Sequence, residues 1–261
     1  MRKIFITALL AALLIPGITL AADKKIVIGV TPFPAKDIAV VAKEVLKKSG
    51  YELVIREFTD FVQPNYALHD KDLDANFFQH VPYLENMKKE KNLDIVPLVK
   101  VHLLPIGIYS QKVKSLKEIK KGAVAAVPND PTNGFRAYKL LEREGLLKMA
   151  SGKKDLTARD IVSNPLGLKI IELEAPALPR SLPDTAISVI TMNFAVDAGL
   201  NPTKEALALE SKNSPYAVVL AVRSGDANSP AAKALSKALN SPEVKKYISE
   251  KLSAKGVIPA F

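Results

Sequence analysis

The chain has 261 residues, of which 48% are hydrophobic, and its formal net charge is +10 at pH 7. This apolar content excludes an intrinsically disordered chain, and the length is sufficient for one large domain or for two lobes with separate cores. The absence of cysteine excludes a disulfide framework, a thiol nucleophile and a thiolate metal site.

The N-terminal segment, residues 1–22, is typical of a cleavable export signal peptide. Arg2 and Lys3 precede an apolar run at residues 4–15, which is too short to cross a bilayer of roughly 30 Å as a helix. An uncleaved anchor is the alternative. Residues 20–22 suit a lipoprotein signal, but Asp23 stands where the lipid-bearing cysteine would be. We therefore expect a soluble periplasmic protein without a lipid anchor.

Apolar runs of strand length alternate with amphipathic helical stretches along the rest of the chain. Strands are predicted at residues 25–30, 51–58, 75–78, 95–101, 122–127, 169–174, 188–190 and 218–222. Helices are predicted at residues 36–48, 62–68, 80–91, 131–144, 193–198, 230–239 and 242–252. This order predicts an α/β fold with mostly parallel sheets and helices on both faces.

The strand–helix pattern restarts in the second half, and no low-complexity linker separates the halves. We predict a first lobe at residues 23–105 and 223–261, and a second lobe at residues 106–222. The chain would cross between them near residues 103–110 and 216–223, which are extended and apolar. A hinged pair of lobes leaves a cleft, and such clefts are favoured places for small ligands.

Charge and motifs exclude several classes of function. The lysine-rich residues 88–91 and 117–121 are interrupted by Glu90 and Glu118, which is typical of solvated helix faces. A nucleic-acid groove would place aromatic residues among the cations. The sequence contains no G-x-S-x-G, H-E-x-x-H, phosphate-loop or G-x-G-x-x-G motif, and no two of its three histidines have metal-ligand spacing. We therefore expect no nucleic acid, no catalytic residue, no metal and no cofactor.

The start of the predicted helix at residue 131 is a candidate anion site. Asp130 suits the N-cap, and Pro131 suits the first helical position. Asn133 and Arg136 lie three residues apart, so they share a face near this terminus, where free N–H groups and the helix dipole favour an anion. Arg136 can add a bidentate clamp on a carboxylate. The alternative is a capped helix whose arginine forms a surface ion pair.

Aromatic residues cluster at residues 58–65 and 74–80, where strands end. They can line an apolar pocket and contact a thioether, and core packing is the alternative. Because Phe77 and Phe78 alternate along a strand, at most one of them faces a cleft. His80 is either a contact in that pocket or a helix-start residue.

Several runs together resemble the methionine-binding (NlpA-type) lipoprotein family of ABC-importer solute-binding proteins. The resemblance covers nearly the whole chain after residue 22, and its motifs occur in the family's order. They are Asp74-Ala75-Asn76-Phe77-Phe78-Gln79-His80, Val127-Pro128-Asn129-Asp130-Pro131-Thr132-Asn133, and residues 82–84, 178–182, 198–202, 214–216 and 257–261.

The resemblance implies a two-lobed periplasmic-binding-protein fold that closes on methionine or a related zwitterionic amino acid. It implies that Arg136 binds the ligand carboxylate and that Asn193 binds the head group. Phe61, Phe78 and His80 would line the side-chain pocket. The implied partners are an ABC permease and its ATPase, with the binding protein as a monomer.

The chain departs from the family pattern at three places. Asp23 replaces the lipid-bearing cysteine, and Thr191 and Met192 precede Asn193 where the family has Asn-Gly. Val218 stands where the family has an asparagine that contacts the head group, and losing such a partner costs about 1–3 kcal/mol. Two alternatives stay open: the same fold binding a dipeptide or another small carboxylate, and a secreted interaction protein with a vestigial cleft.

Overall fold

The computed structural model describes residues 24–153 and 155–261, so the predicted signal peptide lies outside the described residues. The first part of the described chain contains β1 (Lys24–Val30), α1 (Asp37–Lys47), β2 (Tyr51–Glu57), α2 (Gln63–His69), β3 (Ala75–His80), α3 (Val81–Lys91) and β4 (Ile95–Leu103). These elements agree with the predicted ones to within one or two residues.

The middle contains β5 (Gly107–Tyr109), β6 (Val124–Pro128), α4 (Pro131–Arg143), β7 (Lys148–Met149), β8 (Ile161–Ser163), β9 (Lys169–Leu173), β10 (Ile187–Ile190), α5 (Met192–Asp197), α6 (Pro202–Glu205) and β11 (Ala208–Leu209). The chain ends with β12 (Ala217–Arg223), α7 (Pro230–Leu239), α8 (Pro242–Tyr247), a wider π-helical turn (Ile248–Leu252) and β13 (Ile258–Pro259). The predicted helices near residues 131, 193, 230 and 242 are confirmed.

A six-stranded sheet forms the core of the first lobe, in the order β13-β4-β12-β3-β1-β2. One face packs on α1, α7 and α8 through buried residues such as Ile38, Leu235 and Val244. The other face packs on α2 and α3 through Leu68 and Leu84. The sheet is therefore covered by helices on both faces, as the sequence predicts.

A five-stranded sheet forms the core of the second lobe, in the order β11-β5-β10-β6-β9. On one face, α4 packs against it through Ala137 and Leu141. On the other face, α5 and the 3-10 turns before β10 contribute Leu178, Leu182 and Phe194. From here on, the first lobe and the second lobe are the elements packed on these two sheets.

Both sheets are mixed rather than mostly parallel. In the first, β1 pairs in parallel with β2 and β3, but β12 runs antiparallel to both β3 and β4. In the second, β6 pairs in parallel with β9 and β10, while β5 runs antiparallel to β10 and β11. Strands β5 and β12 each follow a crossing between the lobes, where strand direction is not set by a local β-α-β unit, and β13 at the end of the chain also runs antiparallel to its neighbour β4.

Strand β12 lies in the first sheet, whereas the predicted second lobe extends to residue 222. The chain leaves the six-stranded sheet after Leu103 and returns to it at Ala217. We propose that the crossings lie at residues 104–106 and 210–216. The run from Ala217 to Val222 is buried throughout, which identifies a central strand but does not tell which of two sheets contains it.

The short strands β5, β7, β8, β11 and β13 have no counterpart in the predicted elements. Each has two or three residues, which is too few for an alternating pattern to be recognised. Among the described residues, no helix has the length and apolar character that crossing a membrane requires.

Asp197, the last residue of α5, is exposed beside the first lobe, although neighbouring protein groups partly desolvate its carboxyl. Its pKa is raised to about 6, first by burial and then by the Asp37 and Glu57 carboxylates, while the Phe33 N–H and Lys255 act in the opposite direction. Because the folded chain binds this proton more tightly than the unfolded chain, stability falls as the pH rises from about 4 to about 6.

Replacing Asp197 with asparagine should therefore stabilise the protein above pH 6. The expected gain in the free energy of unfolding is about 1 kcal/mol, well below what the pKa shift alone implies, because solvent screens an exposed group. Urea denaturation at pH 4 and pH 7 measures it, and the two proteins should converge at pH 4. Asp184→Asn, at another exposed carboxyl, is the control for the loss of one surface carboxylate. Equal stability of D197N and wild type at pH 7 would contradict the assignment.

Candidate ligand-binding site

A cavity of about 380 Å³, including its opening, lies between the two lobes. The first lobe contributes Phe61, Phe78, Gln79, His80, Tyr83 and Val218; the second contributes Asn133, Arg136, Thr191 and Asn193; Leu104 and Tyr216 come from the crossings. All six residues predicted from the sequence line this one cavity, and their contact with a ligand stays a prediction.

The N-terminus of α4 is built as the sequence predicts. Asp130 is the N-cap, and its Oδ1 accepts a hydrogen bond from the backbone N–H of Asn133 at 2.8 Å. The side-chain amide of Asn133 also donates to Asp130, at 3.2 Å to Oδ1 and 3.0 Å to Oδ2. Because the Asn133 amide nitrogen is turned toward Asp130, its Oδ1 is left to face His80 and Arg136.

Arg136 is 5% exposed and is held by several acceptors. Its Nη1 donates to Asn133 Oδ1 at 3.0 Å, and its Nη2 donates to the Leu104 carbonyl at 2.8 Å. Its Nε and Nη2 donate to the two carboxylate oxygens of Glu210, at 3.2 and 2.6 Å. The guanidinium also lies 4.6 Å from the ring centre of Tyr216. The surface ion pair considered above is therefore wrong, since the arginine is buried in the cleft.

The ion pair with Glu210 changes what Arg136 can offer to a ligand. A guanidinium has five N–H donors, and four of them have acceptors within the described residues. One Nη1–H remains, so in this arrangement Arg136 offers a ligand a single N–H, and the bidentate clamp on a carboxylate stays a prediction. Glu210 could not be recognised from the sequence, because it lies 74 residues from Arg136 with no motif in common.

His80 ends β3 and caps α3, and it connects the two lobes. Its Nδ1 accepts from the Tyr83 N–H at 3.1 Å, and its Nε2 lies 3.2 Å from Asn133 Oδ1. The proton therefore belongs on Nε2, which donates to Asn133. Burial first, and then the Arg136 charge, lower the pKa of His80 to about 3, so the imidazole is neutral at neutral pH. Both predicted roles, pocket residue and helix start, describe this one side chain.

Aromatic rings form the apolar end of the cavity. The Phe61 ring centre lies 5.9 Å from that of Phe78, 5.9 Å from that of Tyr83 and 4.9 Å from that of Phe194 in α5. The Tyr83 hydroxyl donates to the Phe61 carbonyl at 3.0 Å, which holds the loop in place. Phe77 points into the opposite core, as the strand alternation predicts. This end suits an apolar side chain, including a thioether.

Two polar groups in the cavity wall have no hydrogen-bond partner in the described part of the chain. They are Thr191 Oγ1 and Asn193 Nδ2, and both residues are buried in the cavity wall. Unpaired buried donors are costly, so an acceptor on a ligand is the natural partner for them. Asn193 was predicted, whereas Thr191 was noted only as a departure from the family pattern.

Val218 lies where β12 passes between β3 and β4. It pairs with His80 on one side and with His102 on the other, and the register shifts directly after it. Both ring nitrogens of His102 are buried without a partner among the described residues. Burial lowers the pKa of His102 to about 3, so this ring is neutral as well. The wall of the cavity is thus apolar at residue 218.

A layer of amides lies behind the cavity wall and orients Gln79. Gln79 Nε2 donates to Asn65 Oδ1 at 2.6 Å and to Asn76 Oδ1 at 2.9 Å. The Asn65 amide donates back to Gln79 Oε1 at 2.8 Å. Fully paired buried amides such as these rigidify a strand end, and they give the site a preorganised wall.

Comparison with known proteins agrees with this architecture. The family profile described as NlpA lipoprotein matches residues 26–261. The chain belongs to the NlpA lipoprotein family. Among family members, the D-methionine-binding lipoprotein MetQ of Escherichia coli K12 is 42% identical over 221 residues, which are 83% of this chain and 82% of that protein.

A further relative and a solved structure are also similar to this chain over most of its length. Outer membrane lipoprotein 3 of Mannheimia haemolytica is 44% identical over 225 residues, which are 85% of each chain. The solved structure of a nutrient-binding protein from Burkholderia cenocepacia bound to methionine superimposes with a TM-score of 0.87 at 44% identity, covering 90% of this chain and all of that one. The predicted family and the predicted two-lobed fold are both confirmed.

Proposed function

We propose that this member of the NlpA lipoprotein family is the solute-binding protein of an ABC importer and that its cleft binds methionine or a related small zwitterionic amino acid. The observation that carries the proposal is that one cavity is lined both by buried donors, at Arg136, Thr191 and Asn193, and by the aromatic rings of Phe61 and Phe78. The part of the wall around Arg136 and Asn133 is called the polar end. The methionine-bound relative from Burkholderia cenocepacia supports the same ligand.

The cavity wall offers three donors to a ligand carboxylate. They are the remaining Nη1–H of Arg136, the Thr191 hydroxyl and the Asn193 amide, and the last two have no other partner among the described residues. Since the carboxylate accepts several hydrogen bonds, it can satisfy all three groups at once. The side chain of the ligand then extends toward Phe61 and Phe78.

Ligand binding couples the two lobes because the cavity is lined by residues of both, and the lobes contact each other beside it. His80 faces Asn133 across the cleft, and Phe61 contacts Phe194. A ligand that contacts both walls favours the closed arrangement over the open one. The closed protein is the form that we propose the permease and its ATPase recognise, with the binding protein exported to the periplasm, unlipidated at Asp23 and monomeric.

Calorimetric titration with L-methionine, D-methionine and other amino acids tests the proposal. We expect a dissociation constant of roughly micromolar, or about −8 kcal/mol, which an arginine contact and an apolar pocket can supply. A thermal-shift screen of amino acids and short peptides at millimolar concentration extends the test. If no zwitterion binds in either assay, the proposed function is overturned.

A second candidate keeps the fold and changes the ligand to a dipeptide or another small carboxylate. Val218 favours it, because the apolar wall offers no hydrogen bond to an amino-acid head group there. Mass spectrometry of a ligand released from the purified protein separates the two candidates. The buried, unpaired Thr191 and Asn193 argue against a vestigial cleft, since such groups cost stability without a ligand.

A further inference from the structure

Glu210 connects the polar end of the cleft to both crossings between the lobes. It follows β11 directly, and its backbone N–H donates to the Ile106 carbonyl at 2.8 Å. Its side chain accepts from the Ile106 N–H at 3.4 Å as well as from Arg136. The carboxylate therefore lies behind Arg136, next to the strand by which the chain enters the second lobe, and it is not among the residues that line the cavity.

The charges around the cavity cancel because of this carboxylate. Arg136 is the one residue with a formal charge among those lining the cavity. His80 is neutral at neutral pH, since burial and the arginine charge hold its pKa at about 3. The ion pair of Arg136 with Glu210 is buried, with side-chain exposures of 4% and 15%, so solvent screens the pair only weakly. The cleft is thus electrically neutral at its polar end.

The geometry also distinguishes this site from one that selects anions. An arginine that selects a free carboxylate presents two parallel N–H groups to it. Here that edge, Nε with Nη2, is occupied by Glu210 at 3.2 and 2.6 Å. A ligand anion would meet a guanidinium whose charge is already compensated. A zwitterion brings no net charge and needs no compensation from the protein.

We propose that Glu210 is a specificity-determining residue that positions Arg136 and cancels its charge, so that the cleft selects a net-neutral zwitterion over an anionic acid of the same shape. This inference rests on the proposed function, and it names the charge class of the ligand. Glu210 acts through Arg136, without contact with the ligand.

The experiment compares two ligands that differ only in the ammonium group. L-Methionine is the zwitterion, and 4-(methylthio)butanoate is the anion with the same carboxylate and thioether. Calorimetry measures the dissociation constants of both ligands for wild type and for Glu210→Gln. This substitution keeps the shape of the side chain and removes its charge. We expect wild type to prefer methionine by about 100-fold, and E210Q to reduce this ratio by at least 10-fold through tighter anion binding.

The control is Glu142→Gln, which removes the charge from a more exposed ion pair with Lys139 on the same helix. It should leave both constants unchanged. If E210Q weakens the binding of both ligands by the same factor, or changes neither dissociation constant, the role of Glu210 in charge selection is overturned. Methionine binding by wild type would still support the proposed function in that case. If wild type binds no methionine, both proposals are overturned.

A second variant keeps the inference testable when E210Q does not fold. Glu210→Asp retains the charge but shortens the side chain. It should therefore weaken the binding of both ligands by a similar factor and keep the preference for methionine. Loss of that preference in E210D would overturn the proposal. Circular dichroism on each variant confirms that it is folded before titration.

Discussion

Replacing Arg136 with methionine is expected to weaken methionine binding by at least 100-fold. The variant loses the charged donor at the polar end of the cavity, and it also releases Asn133 and the Leu104 carbonyl, which Arg136 holds in place. A hydrogen bond between charged partners contributes about 1.5–3 kcal/mol, and the displaced groups add to that loss. Calorimetric titration with L-methionine measures the effect.

Folding and binding can be separated in this experiment. R136M leaves Glu210 buried without its partner, and breaking a buried ion pair in this way costs about 3–5 kcal/mol of stability. The double variant R136M/E210M replaces both charges with apolar side chains and should regain most of that stability without regaining ligand binding. Urea denaturation distinguishes the two proteins.

The exposed Arg159 of the second lobe provides the matched control, because Arg159→Met removes the same charge outside the cleft. It should bind methionine as wild type does. Binding by R136M within a few-fold of wild type would remove the physical basis of the proposed site.

Replacing Val218 with asparagine is expected to tighten methionine binding by about 10- to 100-fold, in line with about 1–3 kcal/mol for a buried polar partner. The new amide would face the cavity at the place where the resemblance gives an asparagine. His102, which pairs with residue 218 across the neighbouring strand and has two unpaired nitrogens among the described residues, offers it a second hydrogen bond. We therefore expect little change in the free energy of unfolding.

The control for this prediction is Val218→Ala, which removes volume without adding a polar group. It should weaken binding and lower stability, because a buried methyl pair is lost from the core. If V218N binds methionine less tightly than wild type, the apolar wall is an adaptation to another ligand, and the candidate with a dipeptide or small carboxylate gains support.

The two predictions concern the two walls of the cleft. Arg136 belongs to α4 of the second lobe, and Val218 belongs to β12 of the first. Because a ligand must satisfy both walls, its binding energy depends on how the lobes meet, and binding should raise the melting temperature of the whole chain.

The sequence alone determined the features that depend on short separations along the chain. The cap at Asp130, the start of α4 and the shared face of Asn133 and Arg136 follow from hydrogen bonds within one helical turn. Alternation within β3 likewise predicted that Phe78 and Phe77 face opposite sides. The resemblance added Asn193 and Phe61, which no local pattern connects to that helix.

Only the tertiary structure decided the partners that are far apart in sequence. It placed β12 in the first sheet, brought Glu210 to Arg136 across 74 residues and left Thr191 unpaired beside Asn193 among the described residues. Hydrophobic periodicity indicates that a segment is buried, but it does not indicate which strand that segment pairs with. The partner of a buried charge depends on how the crossings between the lobes fold back. The charge of the cleft, and with it the selection of the ligand, is therefore a property of the assembled lobes.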